Sequence, residues 1–135
     1  MSIVNFVDYT QIINKDYRIL LLDVQHASPT PLQWSFTINE LKENIENLKQ
    51  LNIKFAFIFN VKKLGIISTE YIMEFIKVLT SYADLLENRL IATSVVYEGI
   101  IINTIFELIK IFYKTKKPID FVKDMNSAVK FIDSI

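Results

Sequence analysis

The amino-acid sequence predicts a single α/β domain, residues 1–135, in which a mainly parallel sheet of four or five strands is flanked by four helices. Three apolar runs, at residues 18–25, 53–59 and 91–97, are typical of strands buried on both faces of a sheet. Each run is followed by a segment with apolar residues at helical spacing. The 135 residues, 51% of them hydrophobic, suffice for one core. These features predict the order β-β-α-β-α-β-α-β-α with right-handed crossovers.

The amino-terminal segment is predicted to form two strands. Residues 3–7 fit a short first strand, and a polar turn at residues 14–16 separates it from the buried strand at 18–25. Residues 26–33 contain Pro29 and Pro31, which are typical of a loop.

The first helix has two candidate starting points. Thr37 and Glu40 form a capping-box pattern, and Phe36 fits the hydrophobic staple that accompanies one, so the helix is predicted to begin there. Thr30, at a Thr-Pro step, is a weaker and earlier alternative that would bring Trp34 onto the apolar stripe. That stripe comprises Ile38, Leu41, Ile45 and Leu48.

The remaining elements follow the same alternation. After the strand at 53–59, Ser68 is placed to cap a second helix whose apolar stripe extends from residue 72 to residue 86. After the strand at 91–97, a third helix has a polar stripe so narrow that its apolar surface must be covered on more than one side. A short strand at 119–122 and a last helix capped by Asp124 complete the chain.

Composition excludes several classes of function. Lysine plus arginine equals aspartate plus glutamate at 15 each, so no global charge favours nucleic acid. The chain has no cysteine and one histidine, which excludes thiolate chemistry and metal sites built from several histidines. Two glycines cannot supply a glycine-rich phosphate loop. No cofactor is therefore expected, and abundant Ile, Lys and Asn indicate an AT-biased genome, such as that of a large DNA virus or a protist.

The location of the protein is predicted from two absences in the sequence. The first eight residues lack the basic and apolar regions of a signal peptide. The most apolar stretch, residues 100–113, is interrupted by polar residues and is shorter than the ~20 residues that span a bilayer. A cytoplasmic protein without a transmembrane segment is expected.

The candidate site follows from the predicted sheet, because loops at the carboxyl ends of parallel strands meet at one edge. The loop and helix start at 60–72 supply the predicted partner-binding residues Asn60, Lys62, Lys63, Ser68, Thr69 and Glu70. A rim for a small ligand is predicted at Asp23, His26, Tyr97 and Glu98. Several of these residues also have simpler explanations: Ser68 would cap a helix, Lys62 and Lys63 would be solvated surface residues, and His26 would be an ordinary loop residue.

The chain shows a family resemblance in five segments that are followed by Ala128 and Phe131. These segments are residues 55–61, 67–72, 91–96, 102–106 and 117–122. They resemble the STAS-like proteins related to bacterial anti-sigma-factor antagonists, especially small viral-type members with a CRAL-TRIO-like character. The resemblance spans residues 18–132 and implies a domain that docks partner proteins, with some members binding nucleotides or lipids.

The same resemblance bears on phosphorylation. Antagonists of this type have an Asp-Ser-Ser-Gly loop with a phosphorylatable serine, which here corresponds to Ser68, Thr69, Glu70 and Tyr71. Because Glu70 stands where the phosphorylated serine would be, kinase control of that type is not expected. A shift of one residue in the alignment would return a hydroxyl to that position.

Three hypotheses of function follow. The first is a non-enzymatic regulatory module that docks a protein partner through residues 60–72. The second is a carrier of a lipid or nucleotide at the strand-end rim, for which the third helix would line a pocket; homodimerisation through that helix explains its apolar surface equally well. The third is an enzyme of unknown class, with acid–base chemistry from Asp23, His26, Lys62 or Glu98.

Overall fold

The computed structural model describes residues 4–99, residue 110 and residues 117–135, and it contains one five-stranded sheet. The strands lie in sequence order across the sheet; β1 is antiparallel to β2, and β2 to β5 are mutually parallel. The strands are β1 (Val7–Ile13), β2 (Tyr17–Val24), β3 (Lys54–Asn60), β4 (Leu90–Val96) and β5 (Ile119–Val122). The described helices are α1 (Pro31–Leu51), α2 (Thr69–Ser81), α3 (Ala83–Arg89) and α4 (Met125–Asp133). The predicted fold class is confirmed.

The first strand lies later in the chain than the sequence predicts. It begins at Val7 and pairs with the length of β2, from Val7 opposite Val24 to Ile13 opposite Arg18. The predicted turn joins the two strands, where the Asn14 amide donates to the Tyr17 carbonyl at 3.0 Å. One face of β1 is solvated, so the exposed Asp8 and Thr10 alternate with the buried Val7 and the half-buried Tyr9 and Gln11.

Helix α1 begins at the earlier of its two candidate starts, so the predicted start at Thr37 is wrong. Thr30 and Gln33 form a reciprocal capping box: the Thr30 hydroxyl accepts from the Gln33 amide at 3.1 Å, and the Gln33 side chain accepts from the Thr30 amide at 2.9 Å. The Thr37 hydroxyl lies within the helix and donates to the Gln33 carbonyl at 2.9 Å. The longer helix buries Trp34, which packs with the predicted stripe.

The described helices cover the two faces of the sheet unequally. One face carries Phe55, Phe57 and Phe59 and packs against α1, α2 and α3. The other carries Ala56 and Ala92 among larger aliphatic side chains, and α4 lies close enough there for the Ser94 hydroxyl to donate to the Ala128 carbonyl at 3.2 Å. Alanines at the contact permit this approach.

The second predicted helix is two helices, because the chain bends at Tyr82 between α2 and α3. The Tyr82 hydroxyl donates to the Glu46 carboxylate at 2.8 Å, which ties the bend to α1. Partial burial, together with this carboxylate, raises the pKa of Tyr82 to about 12.

The third predicted helix lies outside the described residues, apart from Lys110, which is helical and exposed. The two explanations offered for its apolar surface, a pocket wall and a dimer interface, therefore stay predictions. Among the described residues, no helix is long and apolar enough to cross a membrane.

Asp124 caps α4 as predicted and gives the fold a pH dependence. Its carboxylate accepts from the Ser127 amide at 2.7 Å, and this bond, with the nearby Lys62 and Lys130 charges, lowers the carboxyl pKa below its ordinary value of 3.8. The unfolded state binds this proton more readily, so the cap stabilises the protein above about pH 4 and ceases to do so as the pH falls through the folded pKa.

We expect Asp124→Ala to lower Tm at pH 7, because it removes the cap. The Tm of this variant should also fall less than that of the wild type as the pH is lowered. Asp124→Asn keeps a capping oxygen but does not titrate, so its Tm at pH 7 should stay near that of the wild type. Circular dichroism melts between pH 2 and pH 7 measure both effects. An Asp124→Asn protein with the full acid dependence of the wild type would contradict this assignment.

Candidate functional site

The strand ends that the sequence selects do lie along one edge of the sheet. Asp23, near the end of β2, is paired in register with Asn60 of β3, and Asn60 is paired with Val96 of β4. Val96 is in turn opposite Val122 at the end of β5. The loops that follow these strands are therefore neighbours.

The loop after β3 is anchored at several points. Val61 and Leu64 are buried, and the Val61 amide donates to the Val96 carbonyl at 2.8 Å. Further along, the Gly65 amide donates to the Ala27 carbonyl at 2.7 Å, which joins this loop to the loop after β2. The backbone of this loop is thus fixed by neighbouring elements.

Gly65 makes a close contact with Ala27. A Cβ atom at position 65 would lie 3.1 Å from the Ala27 Cβ and 3.2 Å from the Ala27 carbonyl oxygen. Both distances are shorter than ordinary van der Waals contact, so a larger residue would require the two loops to shift by a few tenths of an ångström.

Between its anchors the loop presents exposed side chains. Lys62 and Lys63 are exposed, and Ile66 is 94% exposed. Ser68, Thr69 and Glu70, which begin α2, are also exposed. We call the set Lys62, Lys63, Ile66, Ser68, Thr69 and Glu70 the docking surface.

Two polar residues of this region have local structural roles. The Ser68 hydroxyl accepts from the Tyr71 amide at 3.2 Å, so it caps α2 as predicted. The Asn60 side-chain oxygen accepts from the Lys62 amide at 3.3 Å, which shapes the start of the loop. Tyr71, which the resemblance aligned with the glycine of the Asp-Ser-Ser-Gly loop, stacks on Trp34 with ring centroids 4.8 Å apart. A glycine there would remove this contact.

A polar cavity of about 300 Å³ lies beside the docking surface. Its lining consists of Lys62, Tyr97, Glu98, Gly99 and Lys123. The structure therefore brings the predicted Tyr97 and Glu98 together with Lys62. Lys123 was missed by the sequence analysis, although its place directly after the last strand would have put it at the same edge.

Asp23 and His26, the other predicted rim residues, do not line this cavity. Asp23 is half-buried between β1 and β3, and its carbonyl accepts from the Gln25 side chain at 3.1 Å. His26 is exposed in the following loop. Within the described ranges, no three acidic or histidine side chains cluster in a way that could hold a metal ion.

A second cavity, of about 70 Å³, was not foreseen from the sequence. It lies between the first turns of α1 and α2, against β1 to β3 and the loop after β3. Its principal walls are Val24, Trp34, Phe59, Val61, Leu64 and Phe75. Sequence patterns identify buried residues but not gaps between them.

Trp34 forms one wall of the apolar cavity and joins α1 to α2. In addition to its stacking on Tyr71, its indole nitrogen donates to the Glu74 carboxylate at 2.6 Å. Trp34 thereby positions the helix start that carries the docking surface.

No protein-family model matches the chain. No curated protein matches it either. Among solved structures, it is similar to an uncharacterised protein from the DUF3478 family with a SpoIIAA-like fold, from Shewanella loihica PV-4, with a TM-score of 0.69. The two chains share 11% sequence identity, and the match covers 98% of each.

This similarity bears on the fold and lends no support to viral-type or CRAL-TRIO character. At 11% identity it does not transfer an activity. Strand order, helix placement and full-length similarity agree with one another. The chain therefore has a SpoIIAA-like fold, the fold of the STAS-like proteins.

Proposed function

We propose that this protein is a non-enzymatic regulatory module that docks a protein partner through the loop and helix start at residues 60–72. The observation that carries the proposal is Ile66, which is 94% exposed although the Gly65 amide before it is hydrogen-bonded to Ala27 and the Ile67 side chain after it packs against the core. A large apolar side chain held outward on a fixed backbone resembles the central anchor of a protein interface.

The anchoring of the loop supports the same function. Backbone bonds from Val61 and Gly65 hold the loop in one conformation before any partner arrives. A preorganised surface loses less conformational entropy on binding, so more of the contact energy appears as affinity. The surrounding charges indicate the partner's chemistry: Lys62 and Lys63 precede Ile66, which favours an apolar pocket with acidic side chains at its edge.

The test compares two exposed isoleucines at opposite edges of the sheet. Ile66→Ser changes the docking surface, while Ile13→Ser changes the far end of β1, where Ile13 is 74% exposed. Partners captured from the native cells are first identified with the wild type, and affinity is then measured with the purified partner. We expect Ile66→Ser to weaken binding by about 2 kcal/mol, near thirtyfold, and Ile13→Ser to leave it unchanged.

A Lys62→Glu/Lys63→Glu protein should also bind more weakly, with the largest effect on the association rate and on salt dependence. The proposal fails if Ile66→Ser and the double charge reversal both retain wild-type affinity. It also fails if no protein partner is retained by the wild type.

A second candidate function is small-ligand binding at the polar cavity. The supporting observation is that Lys62, Lys123 and Tyr97 surround one cavity of about 300 Å³, near the lower end of ligand-site volumes. The two ammonium groups and the hydroxyl suit the anionic group of a phosphate ester, and the Glu98 carboxylate in the same lining suits a hydrogen-bond donor elsewhere in that ligand. Lys123 lies outside the docking surface, so Lys123→Ala separates the two candidates: it should abolish calorimetrically measured binding of a phosphate monoester and leave partner docking intact.

A further inference from the structure

The apolar cavity beneath the docking surface has no side chain that would hold water. The two polar side-chain groups of its lining are already engaged: the Thr37 hydroxyl donates to the Gln33 carbonyl at 2.9 Å, and the Trp34 indole nitrogen donates to the Glu74 carboxylate at 2.6 Å. Water that enters such a pocket finds few polar partners, so an apolar molecule that displaces it gains affinity. The chemistry of the walls therefore selects an apolar occupant.

The cavity is also held open by rigid elements. Val7 and Val24 face it from a paired position of β1 and β2. Trp34 is fixed by its stacking on Tyr71 and its hydrogen bond to Glu74. These side chains could not move into the cavity without losing the strand pairing, the stacking or the hydrogen bond that holds them. The cavity therefore exists before a ligand enters.

The volume limits what fits. About 70 Å³ is roughly half of the 150 Å³ cavity that accepts benzene, so the enclosed part holds only a few carbon atoms. The cavity is partly open to solvent, which lets a longer chain extend outward. A narrow aliphatic chain meets both conditions, whereas a ring system does not.

We propose that this cavity is a binding site for a small apolar molecule of the aliphatic-chain class, which inserts the end of its chain between α1, α2 and the loop after β3. None of the rim residues predicted from the sequence lines it. This proposal is independent of the proposed docking function, because the binding of a small apolar molecule is measured on the isolated protein.

The test uses 1-hexanol as the probe and methyl NMR as the readout. We expect saturable shift changes at the methyl groups of Val7, Val24, Val61 and Leu64, which line the cavity. The matched probe 1,6-hexanediol has a hydroxyl at each end and should bind at least tenfold more weakly, since either end would bury an unpaired polar group.

Two variants locate the site. Val24→Ile/Val61→Ile adds two methylene groups to the cavity walls and should weaken hexanol binding at least tenfold. Val78→Ile adds one methylene group to the hydrophobic core at a position that does not line the cavity, and it should leave hexanol binding unchanged. The absence of saturable binding to the wild type, or equal binding by the filled variant, would overturn the proposal.

A crystal of the wild type under xenon pressure provides a measurement that needs no variant. Xenon density between Val24 and Val61 supports the site, and its absence overturns it. This readout decides the matter if the filled variant fails to fold.

Discussion

Replacing Phe57 with alanine is expected to lower the free energy of unfolding by about 3–5 kcal/mol, the range measured for deleting a buried phenylalanine ring. Phe57 is fully buried in the central strand β3. Its ring lies between those of Phe55 and Phe59, each with a centroid 5.5 Å away. Deleting it removes apolar burial and leaves a cavity that strands on both sides prevent from collapsing.

Phe36→Ala is the matched control for this prediction. Phe36 is 44% exposed on α1, so its removal should change stability by only about 0.5 kcal/mol. Urea unfolding at constant temperature measures both variants, and similar m-values would show that both proteins unfold from the same compact state. Equal losses at the two positions would contradict the placement of the core.

Trp34→Ala is expected to have the second large effect, a loss of about 3–5 kcal/mol. The indole is buried, stacks on Tyr71 and donates a hydrogen bond to Glu74. Its removal also enlarges the apolar cavity that it lines. The variant should therefore be less stable and should accept a larger apolar probe, such as benzene, than the wild type.

Two milder variants divide the Trp34 effect into its parts. Trp34→Phe keeps an aromatic ring but cannot donate to Glu74, and Glu74→Ala removes only the acceptor; each hydrogen-bond loss should cost about 1 kcal/mol. The double variant should cost little more than Trp34→Phe alone, because the same bond is lost once. Fully additive losses in urea unfolding would show that this hydrogen bond does not contribute to stability.

The sequence alone determined the fold class, because burial on both faces and helical spacing are local patterns that any parallel α/β sheet imposes on its strands and helices. The caps at Ser68 and Asp124 were predictable for the same reason, since a cap is formed by residues three positions apart. The docking surface was partly predictable, because the ends of parallel strands share an edge.

Other features depended on contacts between distant residues. Thr30 and Thr37 are both acceptable caps locally; the longer helix that begins after Thr30 also buries Trp34 against Phe6 and Tyr71, which no local pattern reveals. The position of β1 depends on its pairing with β2.

Local patterns thus determined which segments become strands and helices, and which of their faces are apolar. Tertiary packing decided where α1 and β1 begin, that Ile66 stands exposed on an anchored loop, and that an apolar cavity lies beneath it. The physical reason is the separation of the interacting residues along the chain. Hydrogen bonds within a helix or turn join residues that are only a few positions apart. Cavities and loop contacts such as Gly65 with Ala27 arise only when separate elements pack together.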